Sequence, residues 1–514
     1  YYARAIEWLP DRAEPWQLHR KLAECEASRG HAEDAGLHFE RAAVARAAAV
    51  GADLPTRQLA VRAAEQLLRG GRIPDGYRIM REVLAALHVR LPGSHRAALL
   101  QSLVLRARLV LRGLEPVLRR ELDPETELRL DALWMASTSL AHVNVALADV
   151  LLLHHIHAAL DGGTPSRILR LLTYEAASEV TLGSRFFDRR ATAMMERAAQ
   201  LLADTRDDYD LGWFEASWAA IAFFRADWPG TIAHGEAAEH HLLRRAIGVA
   251  WERAVVHSYW LFALALTGDA AALDRRRQIA LDDALARRDR LAESHCRSGY
   301  TMLAWLFRDD VTGARRERAA MAGAVRREPR ERHDPAGTSR WPDTSFGTPE
   351  YHAILADCHI ALYAGELGDA HARIEAAWPL IERALLLRIQ FVGVDLRFLR
   401  ARCALAASRA APDRRALIRI AERERSRIAR NASPVARPYH ALIGGLLAGA
   451  PDLLDDAARG FDELAMAAHA AAARFRRGEL LGGRDGDRLC REARDRLGAA
   501  GVAHPDRIIA MYAP

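Results

Sequence analysis

Lysine is all but missing from this chain of 514 residues. Of its 73 basic residues Lys21 is the sole lysine, so 72 are arginine. A phosphate-binding loop of the form GxxxxGK[ST], and the strand lysine of a protein kinase, each need a lysine to hold nucleotide phosphates. Lys21 stands in His19-Arg20-Lys21-Leu22, with no glycine loop before it and no serine or threonine after it. HRD followed by Asn, DFG, GxSxG and HExxH are absent as well. Nucleotide hydrolysis and phosphoryl transfer by these known machines are therefore excluded, and neither enzymatic activity nor a cofactor is expected in this chain. The skew to arginine, with abundant alanine, reads first as the mark of a GC-rich coding sequence. Part of the net charge of +6 then reflects codon usage and not selection for an anionic partner.

Cysteine is also sparse. Cys25, Cys296, Cys358, Cys403 and Cys490 are odd in number and scattered, with no CxxC, which argues against a disulfide framework or zinc site and for a reducing compartment. Uninterrupted apolar runs are lacking too. The most apolar stretch, from Leu140 to Leu160, carries Asn144, Asp149, His154, His155 and His157. A membrane span of about 20 residues does not bear that load. A soluble, cytoplasmic chain is the expectation. It opens on Tyr1-Tyr2-Ala3-Arg4 without an initiator methionine and reads as a region of a longer protein. Half of its residues are apolar, enough for a large core and too many for wholesale disorder.

What the sequence does have is helical periodicity. From Trp251 the apolar positions run through Val255, Tyr259, Phe262 and Leu266 to a stop at Gly268-Asp269. A second run, Ile354, Cys358 and Leu362, ends at Gly365, and a third carries Ile374, Ala377, Ile381 and Leu385, with Pro379 expected to kink or break it. No run of alternating β-branched residues with Asn-Gly turns is present, so strands are not expected. Turn-forming residues recur at Gly30, Gly70-Gly71, Trp228-Pro229-Gly230, Gly268, Gly313, Gly365 to Gly368, Pro412 and Pro451, and several adjacent spacings lie near 40 residues. That is the length of two antiparallel helices with their turns, the unit of an α-solenoid. Leu22, Ala23, Gly30, Ala35, Phe39 and Ala42 follow the tetratricopeptide pattern of small residues where paired helices cross closely. Tyr2, Ala5 and Pro10 match the end of a preceding unit, so the array is expected to begin before residue 1. The predicted fold is all-α, a solenoid of tetratricopeptide-like helix pairs with a period near 40 residues. A Pro/Gly-rich loop or junction at 326–350, holding Pro329, Pro335, Pro342 and Pro349, divides it into parts at 1–325 and 351–514.

Candidate sites are few. His154 and His157 are three apart and could share a helix face as metal ligands do, but no carboxylate completes the set, and histidines bordering a core explain them better. His240-His241 offers less. The segment from Gly482 to Asp487 bears a faint likeness to a calcium-binding turn, although a helix-to-helix loop accounts for it. Trp213, Trp218, Trp228, Trp251, Trp260 and Trp305 could line a peptide groove, or wedge the core between repeats, the reading preferred at their helical spacing.

The basic stretch is more informative. From Arg397 to Arg430 there are 11 arginines against Asp413, Glu422 and Glu424, a local +8 in a chain whose total is +6. Arg415, Arg419, Arg423, Arg427 and Arg430 fall on one helix face, opposite Leu417, Ile420, Ala421 and Ile428. Such a stripe suits an acidic protein, a nucleotide phosphate or a nucleic acid. It also suits the plain solvated face of a helix in an arginine-rich protein, with Glu422 and Glu424 partly offsetting the repulsion.

Five stretches carry a family resemblance: 59–84 (LAVRAAEQLLRGGRIPDGYRIMREVL), 103–114 (LVLRARLVLRGL), 251–269 (WERAVVHSYWLFALALTGD), 362–380 (LYAGELGDAHARIEAAWPL) and 501–514 (GVAHPDRIIAMYAP). Their order resembles the C-terminal tetratricopeptide-like region of large bacterial signalling proteins that join a serine/threonine protein kinase domain to an AAA-type (STAND-like) ATPase domain. The resemblance implies a non-catalytic sensor or scaffold that binds a protein or effector and regulates the attached kinase and ATPase. In that family the chemistry belongs to the N-terminal domains, and none of their catalytic residues has a counterpart here. The alternative is a nucleic-acid-associated transcriptional regulator using the basic stretch at 397–430. A terminal helix-turn-helix of the kind found in related activators has no counterpart.

Overall fold

The computed structural model describes residues 16–141, 144–205, 207–244, 248–324, 347–384 and 386–514, together with Tyr2 and Arg4. Among them are 25 α-helices and no strand. The first four, α1 (Trp16–Ser28), α2 (Ala32–Val50), α3 (Leu54–Arg69) and α4 (Ile73–Ala86), form two antiparallel pairs. Then follow α5 (His95–Arg112), α6 (Pro124–Leu140), α7 (Val145–Leu160), α8 (Pro165–Val180), α9 (Arg185–Thr205), α10 (Asp208–Phe224), α11 (Trp228–Arg244), α12 (Ala250–Thr267) and α13 (Ala270–Ala286). Shorter pieces, α14 (Arg290–Cys296) and α15 (Leu303–Leu306), lead to α16 (Val311–Ala324). The remainder is α17 (Thr348–Ala364), α18 (Leu367–Arg383), α19 (Gln390–Ala407), α20 (Arg414–Ile428), α21 (Ala436–Ala448), α22 (Pro451–Glu463), α23 (Ala467–Leu481), α24 (Gly483–Ala499) and α25 (Pro505–Tyr512). No helix among the described residues is long and apolar enough to cross a membrane.

Local chemistry accounts for these boundaries. Asp53, Asp123, Asn144, Asp269 and Asp413 each accept a hydrogen bond from the backbone N–H three residues on, satisfying a first-turn donor that has no helical partner. Prolines enter first turns, where no N–H is needed, as in α3, α6 and α22. Gly268 and Gly365 end α12 and α17 in the left-handed conformation, at φ 81° and 79°. Pro379 does not break its helix: α18 runs through it to Arg383. The tetratricopeptide-like positions of the first pair are packed, with Ala23, Ala35 and Ala42 fully buried and Phe39 nearly so. Of the junction expected at 326–350, residues 326–346 lie outside the described residues, and residues 348–350 form the first turn of α17.

The buried apolar side chains form two large clusters, one from Ala23 to Ile221 and one from Tyr209 to Ala513. They share α10, so the core divides there. Hydrogen bonds and close contacts also join distant parts of the array. Gly30 abuts Arg287, the Arg69 guanidinium lies 4.9 Å from the Trp251 ring centroid, and Gln390 donates its backbone N–H to Thr181 at 3.0 Å. The last helix, α25, folds back between α17 and α23. There Ala503 donates to the Phe307 carbonyl at 2.7 Å, and Arg402 donates to the Met511 carbonyl at 3.2 Å. Helix α5 packs along α7 and along no other helix to a comparable extent, as α9 does along α8 and α24 along α23.

Candidate functional site: the arginine stripe

α20 displays the stripe. Asp413 caps it, and its buried face is Leu417, Ala421, Glu424 and Ile428, spaced four, three and four residues apart. Ile420 is only half-buried. On the outer side Arg415, Arg419, Arg423 and Arg427 are all exposed, as the helical spacing requires; Arg430 is exposed too but does not belong to the helix face, because α20 ends at Ile428 and Arg430 lies in the turn beyond it. From Arg415 to Arg427 they span about 18 Å at 1.5 Å per residue. No carboxylate among the described residues pairs with Arg415, Arg419 or Arg430.

Glu424 offsets part of the stripe from the inner side of the helix, where its carboxylate is fully buried. Arg397 donates to it at 2.8 Å, Arg400 at 3.1 Å and Arg427 at 3.3 Å, with the Arg423 guanidinium 3.6 Å away. The reason is register: position 424 falls in line with Leu417, Ala421 and Ile428, and two arginines of α19 supply the charge that makes its burial tolerable. Arg400 also donates twice to Glu375, at 2.6 and 2.7 Å, and lies over the Trp378 ring at 4.1 Å. Burial alone would raise the Glu375 carboxyl, but the Arg400 hydrogen bonds outweigh it and hold the group below the usual range.

The local +8 therefore overstates the charge offered to a partner. Arg397 and Arg400 serve Glu424. Arg402 is buried against the Met511 carbonyl and His359, and Arg425 meets His440. Their inward roles depend on neighbours far along the chain, and no local spacing reports them. Glu424 was the detectable one, since its place in the four-three-four series marks the buried face.

The histidine candidates have ordinary partners. His154 pairs with the side chain of Gln101 at 2.9 Å, and the Nε2 of His157 lies 3.0 Å from the Leu105 carbonyl oxygen. His155 is buried with its ring 5.9 Å from that of Trp134, and burial pushes it down to about 3. His241 sits 3.2 Å from Asp208. The segment from Gly482 to Asp487 is not a loop: Gly482 alone joins α23 to α24, residues 483–487 already belong to α24, and Asp485 pairs with Arg488 at 3.3 Å. A group the sequence did not single out, Glu26, His31 and Asp34, brings three possible ligand atoms within 4.8 Å of one another. His31 already bonds Glu26 at 2.7 Å, however, and Asp34 is exposed. Trp213, Trp228, Trp251, Trp260 and Trp305 are buried and form no open groove, while Trp218 is half-buried and stacks on His234.

No protein-family model matches the chain, and no curated protein matches it either.

Proposed function

We propose that this chain is a non-catalytic, cytoplasmic helical-repeat region that binds a protein partner or regulatory effector, and that the stripe on α20 is one of its contact surfaces. The observation that carries the reading is the set of five exposed arginines, four on one face of α20 and Arg430 just beyond its end, three of them without a carboxylate partner among the described residues. A partner bearing carboxylates or phosphates would supply what the fold does not, and each desolvated bidentate pair would contribute about 1.5–3 kcal/mol. The family resemblance extends the proposal: the region would regulate an attached serine/threonine kinase and AAA-type ATPase in bacterial signal transduction.

The test replaces Arg415, Arg419, Arg423 and Arg427 with Gln in the full chain. Pull-downs from native extract should lose at least one protein partner while circular dichroism stays unchanged, and identical partner lists would refute the role of the stripe. The nucleic-acid alternative rests on the same side chains. It predicts an affinity that drops steeply with salt as phosphate counterions are released, so binding that is flat between 50 and 200 mM salt would remove it. The non-catalytic assignment predicts no ATP turnover by the chain.

A further inference from the structure

Helix α5 is apolar on both sides. Its sequence, HRAALLQSLVLRARLVLR, contains no carboxylate, and its inward face buries Ala98, Leu105 and Leu109 beside two polar residues. Ser102 and Arg106 are buried, and Arg106 reaches Asp149 on α7 and Glu175 and Glu179 on α8. Gln101 and the Leu105 carbonyl take up His154 and His157. Outward face Leu100, Leu103, Val104, Ala107, Val110 and Leu111, with Leu103 70% and Leu111 88% exposed. The other exposed large apolar residues are scattered over eight helices or loops, whereas these gather on one helix, in an arc of about 120° at 100° per residue. Water in contact with so continuous an apolar face marks an interaction surface.

The charges around it say what covers it. α5 has one substantial neighbour, α7, and its outward face stays in water. The exposed charges beside the stripe, Arg96 and Arg108, are both positive, and no carboxylate among the described residues pairs with either. A second copy of this chain would bring arginine against arginine on a helix without an acid. The surroundings are not uniformly basic either, since Asp161 and Glu115 are exposed nearby, which disfavours an anionic bilayer.

We infer that the outward face of α5 docks an amphipathic α-helix of a partner protein, with leucine-like residues on one side and flanking carboxylates that meet Arg96 and Arg108. The apolar residues from Leu100 to Leu111 span about 16 Å, three turns, which admits anchors at i, i+3 or i+4, i+7 and i+11 of the guest helix. This surface is separate from the α20 stripe and stands or falls without it.

The test uses the full chain and two labelled 18-residue helical peptides with the same leucine face, one flanked by Glu and one by Lys. Fluorescence anisotropy should show the Glu peptide binding at least tenfold more tightly than the Lys peptide. The triple change Leu100→Ser, Leu103→Ser, Leu111→Ser should abolish binding without lowering the thermal midpoint, because those side chains are already in water. Arg96→Glu with Arg108→Glu should reverse the preference between the peptides, while the α20 Gln variant should bind as the parent does. Equal affinity for the two peptides would overturn the inference. So would self-association abolished by the serine changes, or binding to vesicles of one-third anionic lipid together with indifference to the peptides.

Discussion

Glu424 costs the protein a desolvated carboxylate, and three arginines offset that cost. Replacing it with Gln keeps the shape and removes the charge, leaving Arg397 and Arg400 with less compensation in a buried site. The expected loss is about 3 kcal/mol in urea unfolding, the size associated with breaking a buried pair. Glu239 offers a test by titration. Burial would raise its carboxyl, but His257 and Arg276 outweigh burial and hold it down at about 2. Its contribution is complete above the unfolded carboxyl range near 4.5 and is lost as pH falls through about 2. The gap in thermal midpoint between the parent and Glu239→Gln should thus be constant above pH 5 and close progressively below pH 4. A gap that did not change with acid would mean that the ionised carboxylate contributes nothing. Residues like these are hard to find in a sequence. Arg397 and Arg400 carry the same letter as Arg415 and Arg419, and only the packing of α19 on α20 divides them into inner and outer sets.

At the scale of the helix, small residues set how closely neighbours approach. A Cβ at Gly76 on α4 would lie 2.7 Å from the Leu68 Cγ and 2.9 Å from its backbone nitrogen on α3. Gly76→Ala should improve the isolated helix by about 1 kcal/mol on propensity alone. The contact with backbone forces the pair apart, so the measured change in unfolding free energy should be destabilising instead, by about 1–3 kcal/mol. A neutral or stabilising result would show that the crossing can relax. Helix ends were legible because capping is local: Asp413 before α20 and Gly268 after α12 act within four residues. Which side of α5 faces inward was not legible, because the helix is apolar on both sides. Arg106 settles it, through acids 43 to 73 positions away.

For the whole molecule, buried histidines set the acid limit. His155 is held at about 3 by burial first and Arg167 second, and burial also lowers His359 and His469 well below the usual value. Each stays neutral in the folded protein while the unfolded chain takes up a proton below about 6.5. The part of stability that depends on these histidines is therefore complete above that pH and falls as pH drops, by about 1.4 kcal/mol per pH unit for each such group. His155→Leu should remove one proton from that dependence, seen as a shallower decline of unfolding free energy between pH 6 and pH 4. The all-α class was open to sequence reasoning, since it follows from periodicity. Where the array meets itself was not, because Arg69 and Trp251 are distant in sequence and carry no mark of one another.

Those meetings bear on how such a chain can change in length. A solenoid in which each unit touches only the next can gain or lose a unit by duplication and keep working. Here Gly30 against Arg287, Arg69 over Trp251 and Thr181 bonded to Gln390 fix the number of helices between their ends. One extra helix pair inserted between α4 and α12 would carry Trp251 away from Arg69 and Arg287 away from Gly30. Contacts of this kind make the number of helices harder to change than the residues on an outer face.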